Sequence, residues 1–365
     1  MNISKIFYKN LTRADLDGIN NDRKVQPLGT RMVYRSKEVA SCSHIASPSF
    51  FGLAAALMTC FRSKMSSTLL GALCSLINAK RRLLDETNWP GVNCKEGGKR
   101  QSPIDIRTKD VIQDYEKQFI KNGPLKFSGY QSVLVSGINN GHTVQFSSEG
   151  EEAIHPTVTG GPLEHRYRLE QLHFHWLSEH SVNGVKYPME IHFVHVRSDL
   201  NVGDALASKD GLAIVSVFCN VQAELDDTQQ QASEEIMQYL PRLLDTGDRI
   251  SGVLMDMTKL LSPDLQSYYT YAGSLTSPEC NEAVIWIIFE TPIFLSDADY
   301  RVFGKVGVGR HNFRSLQKLN HHTVFQPPPA ALKTPQIVQL FDKVVRLVTE
   351  FFTNVTTLVQ KLRAR

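Results

Sequence analysis

Short runs of apolar residues, broken by polar ones, dominate the middle of the chain. His142-Thr-Val-Gln-Phe146, Gln171-Leu-His-Phe-His-Trp176, Glu190-Ile-His-Phe-Val-His195, 212–219 and 283–289 are rich in β-branched and aromatic residues. Clusters of Gly, Pro, Asn and Ser separate them, which is the signature of strands joined by turns. One helix is predicted over 227–240, with Ile236 and Leu240 at helical spacing and Pro241 as its stop. Strands outnumber helices and long crossover helices are scarce. The pattern therefore predicts a mainly β (α+β) fold with an antiparallel or mixed sheet, and argues against a doubly wound one.

The two ends read differently. From Arg23 to Arg82 the sole acidic residue is Glu38, among many Lys, Arg and Ser. Apolar runs at 50–61 and 69–77 have the length of a signal-peptide core but lie far from residue 1. Residues 1–84 thus read as an N-terminal extension: an organelle transit segment, an export signal, or a disordered leader. The strand-rich domain is placed at 85–328, and Pro327-Pro-Pro329 closes it. Within 329–365, Ile337, Phe341, Val344, Val348, Phe351, Val355, Leu358 and Leu362 follow spacings of four and three. That seam predicts an amphipathic helix, which either folds back on its own domain, self-associates, or lies on a membrane surface.

Composition narrows the function little. Hydrophobic residues make up 42% and charged residues 21%, as in ordinary globular proteins. A net charge of +3 without a basic, aromatic-laced domain argues against nucleic acid as a partner. No apolar run reaches the roughly 18 to 20 residues that span a bilayer. The six cysteines are widely spaced, with no CxxC pair.

The histidines carry more. In a strand, His173 and His175 point to the same face, so both imidazoles can converge on one point. His192 lies in a second strand, after the Asn183-Gly184 loop, and completes three nitrogen ligands if the two strands are neighbours. Three protein ligands plus an open position is the catalytic arrangement for Zn²⁺. The competing reading is three unrelated strand histidines satisfied by hydrogen bonds. Glu179, His180, Glu190 and His195 nearby favour a metal, although spacing alone names neither the ion nor the reaction.

Several motifs then occur in a recognisable order: Gln101-Ser-Pro-Ile-Asp-Ile106, Asn139-Asn-Gly-His142, Gln171-Leu-His-Phe-His-Trp176, Ser178-Glu-His-Ser-Val182, Glu190-Ile-His-Phe-Val-His195 and Ser274-Leu-Thr-Ser-Pro278. From Trp89 to Gln317 the chain resembles the α-carbonic anhydrases. The resemblance implies a twisted, mostly antiparallel central sheet of about ten strands with short flanking helices. It implies a zinc enzyme for the reversible hydration of carbon dioxide to bicarbonate and a proton, through attack of zinc-bound hydroxide, with a proton-carrying buffer as the last partner. His173, His175 and His192 match the zinc ligands. Gln171, Glu190 and Asn312, the last through its carbonyl, match the groups that hold those imidazoles. Thr276 matches the threonine that accepts a hydrogen bond from the hydroxide, Glu179 the carboxylate that orients the threonine, and His142 the proton shuttle. Val194, Ile214, Leu275 and Trp286 match the apolar wall where carbon dioxide rests.

Cys94 and Cys280 match a disulfide of extracellular family members, which implies secretion, with organelle targeting or a cytoplasmic location as alternatives. Cys219, in an apolar strand, is expected to be a buried free thiol. The sequence departs from the family in lacking a His-Trp-Gly-Tyr stretch before Trp89, in Ile214 where a valine is usual, and in Ser277 where a threonine is usual. Two other functions compete: a non-catalytic binding module of the same fold, and a zinc esterase.

Overall fold

The computed structural model describes residues 97–113, 122–307, 312–320 and 322–327, together with Glu86, Trp89, Gly91, Asn93 and Cys94. The N-terminal extension and the C-terminal amphipathic segment lie outside the described residues.

Fifteen strands occur in this part. They are β1 Asp105–Ile106, β2 Ile112–Gln113, β3 Lys126–Ser128, β4 Val133–Asn139, β5 Val144–Ser148, β6 Thr157–Gly160, β7 Leu163–Trp176, β8 Ser181–Val182, β9 Val185–Lys186, β10 Met189–Arg197, β11 Leu212–Gln222, β12 Arg249–Met255, β13 Tyr268–Gly273, β14 Val284–Ser296 and β15 Phe325–Gln326. A path of neighbours, β12-β4-β5-β7-β10-β11-β14-β13-β15-β2, runs through a 12-stranded sheet, with β3 and β6 attached at β7. Most pairs are antiparallel; β11–β14 and β15–β2 are parallel. A three-stranded sheet, β1-β8-β9, sits apart. The expected mainly β fold is what the chain adopts, and the ten-strand path matches the expected sheet.

Three short helices flank it: α1 Val202–Ala207, α2 Asp227–Met237 and α3 Asp297–Phe303. Helix α2 begins where expected, at a capping box formed by Asp226 and Gln229. It ends at Met237, short of 240, because Leu240–Arg242 tightens into a 3-10 turn with Pro241 inside it. Helices α1 and α3, of six and seven residues, are too short to show a periodic stripe.

The period of two along the strands divides the interior. Leu169, Leu172 and Phe174 of β7, Ile191 and Phe193 of β10, Val215 and Val217 of β11 and Ile287 and Phe289 of β14 enter one core. Val194 and Val196 of β10, Ile214 and Phe218 of β11 and Trp286 and Ile288 of β14 enter a second core on the opposite face. Gln171, His173 and His175 alternate with the first set on β7, and Glu190 and His192 alternate with it on β10. Every predicted histidine ligand therefore belongs to the second face. His195 does not join them. It lies on the first face, fully buried, with its Nε2 2.5 Å from the Tyr130 hydroxyl and its Nδ1 3.1 Å from the Ala213 carbonyl.

Candidate metal centre

Strands β7 and β10 are antiparallel neighbours, and their register sets His192 directly opposite His173. The ring centroids of His173, His175 and His192 lie 4.9, 5.2 and 4.6 Å apart in pairs. One nitrogen from each lies within 4.8 Å of the others.

Each imidazole is oriented by a bond from its other nitrogen. His173 Nδ1 is 2.9 Å from Gln171 Oε1, and His175 Nδ1 donates to the Asn312 carbonyl at 2.6 Å. His192 Nε2 donates to Glu190 Oε1 at 2.7 Å. With those nitrogens protonated, a neutral ring presents a lone pair at His173 Nε2, His175 Nε2 and His192 Nδ1. Neutrality is favoured. Burial drives His173 well below the usual histidine range, with His175 and His192 adding to it. Burial lowers His175 to about 4 against the opposing Asn312 carbonyl, and lowers His192 despite Glu190.

The Nε2 atoms of His173 and His175 stand 3.0 Å apart, so two lone pairs face each other. A cation between them removes that repulsion. Zinc–nitrogen bonds of about 2.05 Å at tetrahedral angles place ligand nitrogens about 3.3 Å apart, close to this spacing.

Two carboxylates sit in this wall with different tasks. Glu190 is fully buried and accepts from His192 Nε2, His180 Nδ1 at 2.8 Å, the His180 backbone at 2.9 Å and Ser216 Oγ at 2.6 Å. Burial raises its pKa, but His180 and His192 outweigh this and hold it well below the usual carboxylate range. Glu179 is also buried. Its Oε1 accepts from the Arg314 backbone N–H at 2.8 Å. The Thr276 hydroxyl also bonds to this carboxylate, and Oε2 lies 3.6 Å from His175 Nε2 and 3.9 Å from His192 Nδ1. Burial raises the Glu179 pKa, against His192, the nearby Thr276 hydroxyl and the Arg314 amide. A buried carboxylate oxygen this close to two imidazole lone pairs fits a resident cation.

The remaining predicted residues are placed as follows. Val194, Ile214, Leu275 and Trp286 are 1, 3, 4 and 0% exposed and share the second core. Trp286 meets His192 edge-on, with centroids 4.9 Å apart. His142 sits in the β4–β5 turn, where Asn140 Oδ1 accepts from the His142 and Thr143 backbones, each at 2.9 Å. The partly exposed His142 is tied to the centre through Asn312, whose Nδ2 donates to the His142 carbonyl at 3.0 Å and to the Phe174 carbonyl at 2.8 Å. Asn312 Oδ1 also accepts from the Trp176 backbone at 3.0 Å. Its side chain thus holds β7 as well as its carbonyl holding His175, a role not read from the sequence.

Two further groups were not legible in the sequence. His180 Nε2 lies 2.7 Å from the Tyr271 hydroxyl, which is 2.8 Å from Ser102 Oγ. Arg314, 5% exposed, donates to Gln101 Oε1 and the Ser102 carbonyl and packs over Trp89. Cys94 and Cys280 form a disulfide with Cα atoms 5.4 Å apart, and Cys219 is a buried free thiol, as expected.

A family model described as eukaryotic-type carbonic anhydrase matches residues 84–328. Carbonic anhydrase 7 of Mus musculus is 35% identical over 227 residues, covering 60% of this chain and 81% of that protein. Carbonic anhydrase 1 of Oryctolagus cuniculus is 34% identical over 244 residues, 62% of this chain and 98% of that protein. Carbonic anhydrase 5B, mitochondrial, of Homo sapiens is 33% identical over 256 residues, 65% of this chain and 76% of that protein. With the fold, the converging imidazoles and these matches together, the chain belongs to the eukaryotic-type carbonic anhydrase family.

Proposed function

We propose that this chain is an active zinc carbonic anhydrase that converts carbon dioxide and water to bicarbonate and a proton, and back. The observation that carries the reading is the convergence of one ring nitrogen from each of three imidazoles, within 4.8 Å of one another, beside the buried Glu179 carboxylate. His173, His175 and His192 would hold the ion. Carbonic anhydrase is the standard case of what zinc supplies in such a setting, lowering the pKa of the water it binds to about 7 so that hydroxide exists at neutral pH.

The residues divide the remaining work. Uncharged ligands would leave a bound dication its full charge, and Gln171, Glu190 and Asn312, through their bonds to the other ring nitrogens, would fix which nitrogen of each imidazole holds it. Thr276 has one hydroxyl proton; giving it to Glu179 leaves its oxygen as an acceptor that orients the nucleophile. Carbon dioxide carries no charge, so an apolar wall of Val194, Ile214, Leu275 and Trp286 suits it. His142, partly exposed at its turn, takes the released proton to buffer.

No helix among the described residues is long and apolar enough to cross a membrane. The disulfide favours an oxidising compartment, so we place the mature protein outside the cytosol. Native mass spectrometry with stopped-flow carbon dioxide hydration tests the function: one zinc per chain and rapid hydration are expected. A zinc-loaded protein that cleaves activated esters without hydrating carbon dioxide would make it an esterase. One that does neither would make it a binding module.

A further inference from the structure

We infer that Glu282 is a positioning residue for the loop carrying Leu275 and Thr276, and that it holds the loop independently of the Cys94–Cys280 disulfide. The inference rests on the carbonic anhydrase reading, because that reading gives the loop its task.

The loop leaves β13 at Gly273 and returns to β14 at Val284. Internal bonds make it one body. The Leu275 amide donates to the Asn281 carbonyl at 3.0 Å, and the Cys280 amide to the Ser277 carbonyl at 2.9 Å. A displacement of Cys280 or Glu282 is therefore passed on to Leu275 and Thr276. The start of the loop is pinned by a reciprocal pair: the Ser102 amide donates to Ser274 Oγ at 2.9 Å and the Ser274 amide to Ser102 Oγ at 3.0 Å.

Its far end is pinned twice by the same stretch of chain. One stitch is the disulfide at Cys280. The other centres on the Glu282 carboxylate, two residues on. The Arg100 amide donates to Glu282 Oε1 at 2.7 Å, and Gln101 Nε2 donates to the same oxygen at 3.1 Å. Arg100 Nη2 donates to the Glu282 carbonyl at 2.9 Å, and its Nε lies 3.9 Å from Oε2. Gln101 Nε2 also reaches the Cys280 carbonyl at 3.2 Å.

This is not an ordinary surface ion pair, whose two long side chains hold each other loosely in water. The Glu282 side chain is 19% exposed and Gln101 2%. Backbone and amide donors are already fixed, and bonds to an ionised carboxylate are about twice as strong as neutral ones. Gly98 makes the approach possible: a Cβ there would overlap Glu282 Oε1 and stand 2.7 Å from Gln101 Nε2. The consequence is functional. Reducing the disulfide leaves the Thr276 loop clamped, so the enzyme works in oxidising and reducing surroundings alike.

The test uses the full zinc-loaded protein in four states: wild type and Glu282→Ala, each oxidised and each reduced with a phosphine. Two readouts are taken, kcat for carbon dioxide hydration in excess buffer and amide hydrogen exchange across 274–282, with zinc content measured throughout. Reduction alone and Glu282→Ala alone should leave both readouts nearly unchanged. Together they should speed exchange of the loop and lower kcat roughly ten- to a hundred-fold by misplacing Thr276, with zinc retained. Cys94→Ser/Cys280→Ser in place of the reductant should reproduce this, and Glu282→Gln, which keeps an acceptor oxygen, should recover part of the loss. The inference is overturned if reduction alone gives the full loss, or if Glu282→Ala adds nothing to reduction. A wild type that hydrates no carbon dioxide would contradict the carbonic anhydrase reading instead, and the exchange rates would still decide the role of Glu282.

Discussion

Acid should destabilise this domain through a histidine on the sheet face opposite the proposed metal ligands. His195 is fully buried, and its ring is held neutral by two neighbours: Nδ1 donates to the Ala213 carbonyl and Nε2 accepts from the Tyr130 hydroxyl. Protonating Nε2 would place a charge in the apolar core and turn the Tyr130 proton toward no acceptor. Burial accordingly lowers His195 from 6.5 to about 4, against the carbonyls of Ala213 and Phe193. The unfolded chain binds this proton more readily than the folded one, so the stability it represents is complete above the unfolded value and lost as pH falls toward the folded one. At about 1.36 kcal/mol per pKa unit, the full shift is worth about 3 kcal/mol, of which about 2 kcal/mol is gone by pH 5. Urea unfolding of wild type and His195→Leu at pH 7.5, 6, 5 and 4.5 isolates the effect, because other titrating groups cancel in the difference. The wild type should lose about 2 kcal/mol more than the variant between pH 7.5 and 5. A difference that stays flat across this range would show that His195 titrates normally, and the argument from burial would fail.

Other outcomes follow from the site and the ends of the chain. Glu190→Gln replaces the acceptor of His192 Nε2 by a group that also donates, and should weaken zinc binding roughly 10- to 100-fold in competition with a chelating dye; unchanged affinity would deny Glu190 its orienting role. His142→Ala should slow turnover in dilute buffer, keep its zinc, and recover in part on adding imidazole; an undiminished rate in dilute buffer would show that the proton leaves another way. Deleting residues 335–365 should lower the mass in light scattering to that of a monomer with activity intact. A full-length protein already monomeric at micromolar concentration would exclude self-association through that segment.

The fold and the histidine cluster were legible for the same reason. Alternation marks strands, and His173-Phe-His175 puts two imidazoles on one face whatever the surrounding sequence. The motif order then pointed to a partner strand for His192, and the β7–β10 register supplies it. What escaped depends on contacts distant in sequence. His195 follows His192 by three residues, so it lies on the opposite face and joins Tyr130, which is 65 residues away. The side chain of Asn312 bonds to a turn 170 residues earlier. Arg100 and Gln101 meet Glu282 across more than 180 residues. No local pattern encodes such pairs. Helix α2 is legible because it has its own cap and stripe, but its end is not, because a 3-10 turn at Pro241 mimics one more helical turn.

On the proposed function, His173, His175 and His192 hold a zinc ion that makes the chain a carbon dioxide hydratase. Stripping the purified protein with a chelator, then returning zinc one equivalent at a time while following hydration by stopped flow, tests it most directly. Activity should vanish on stripping, rise linearly and stop at one zinc per chain, while His192→Ala treated identically should bind little zinc and stay inactive. Full activity in the stripped protein, or in zinc-treated His192→Ala, would contradict the account.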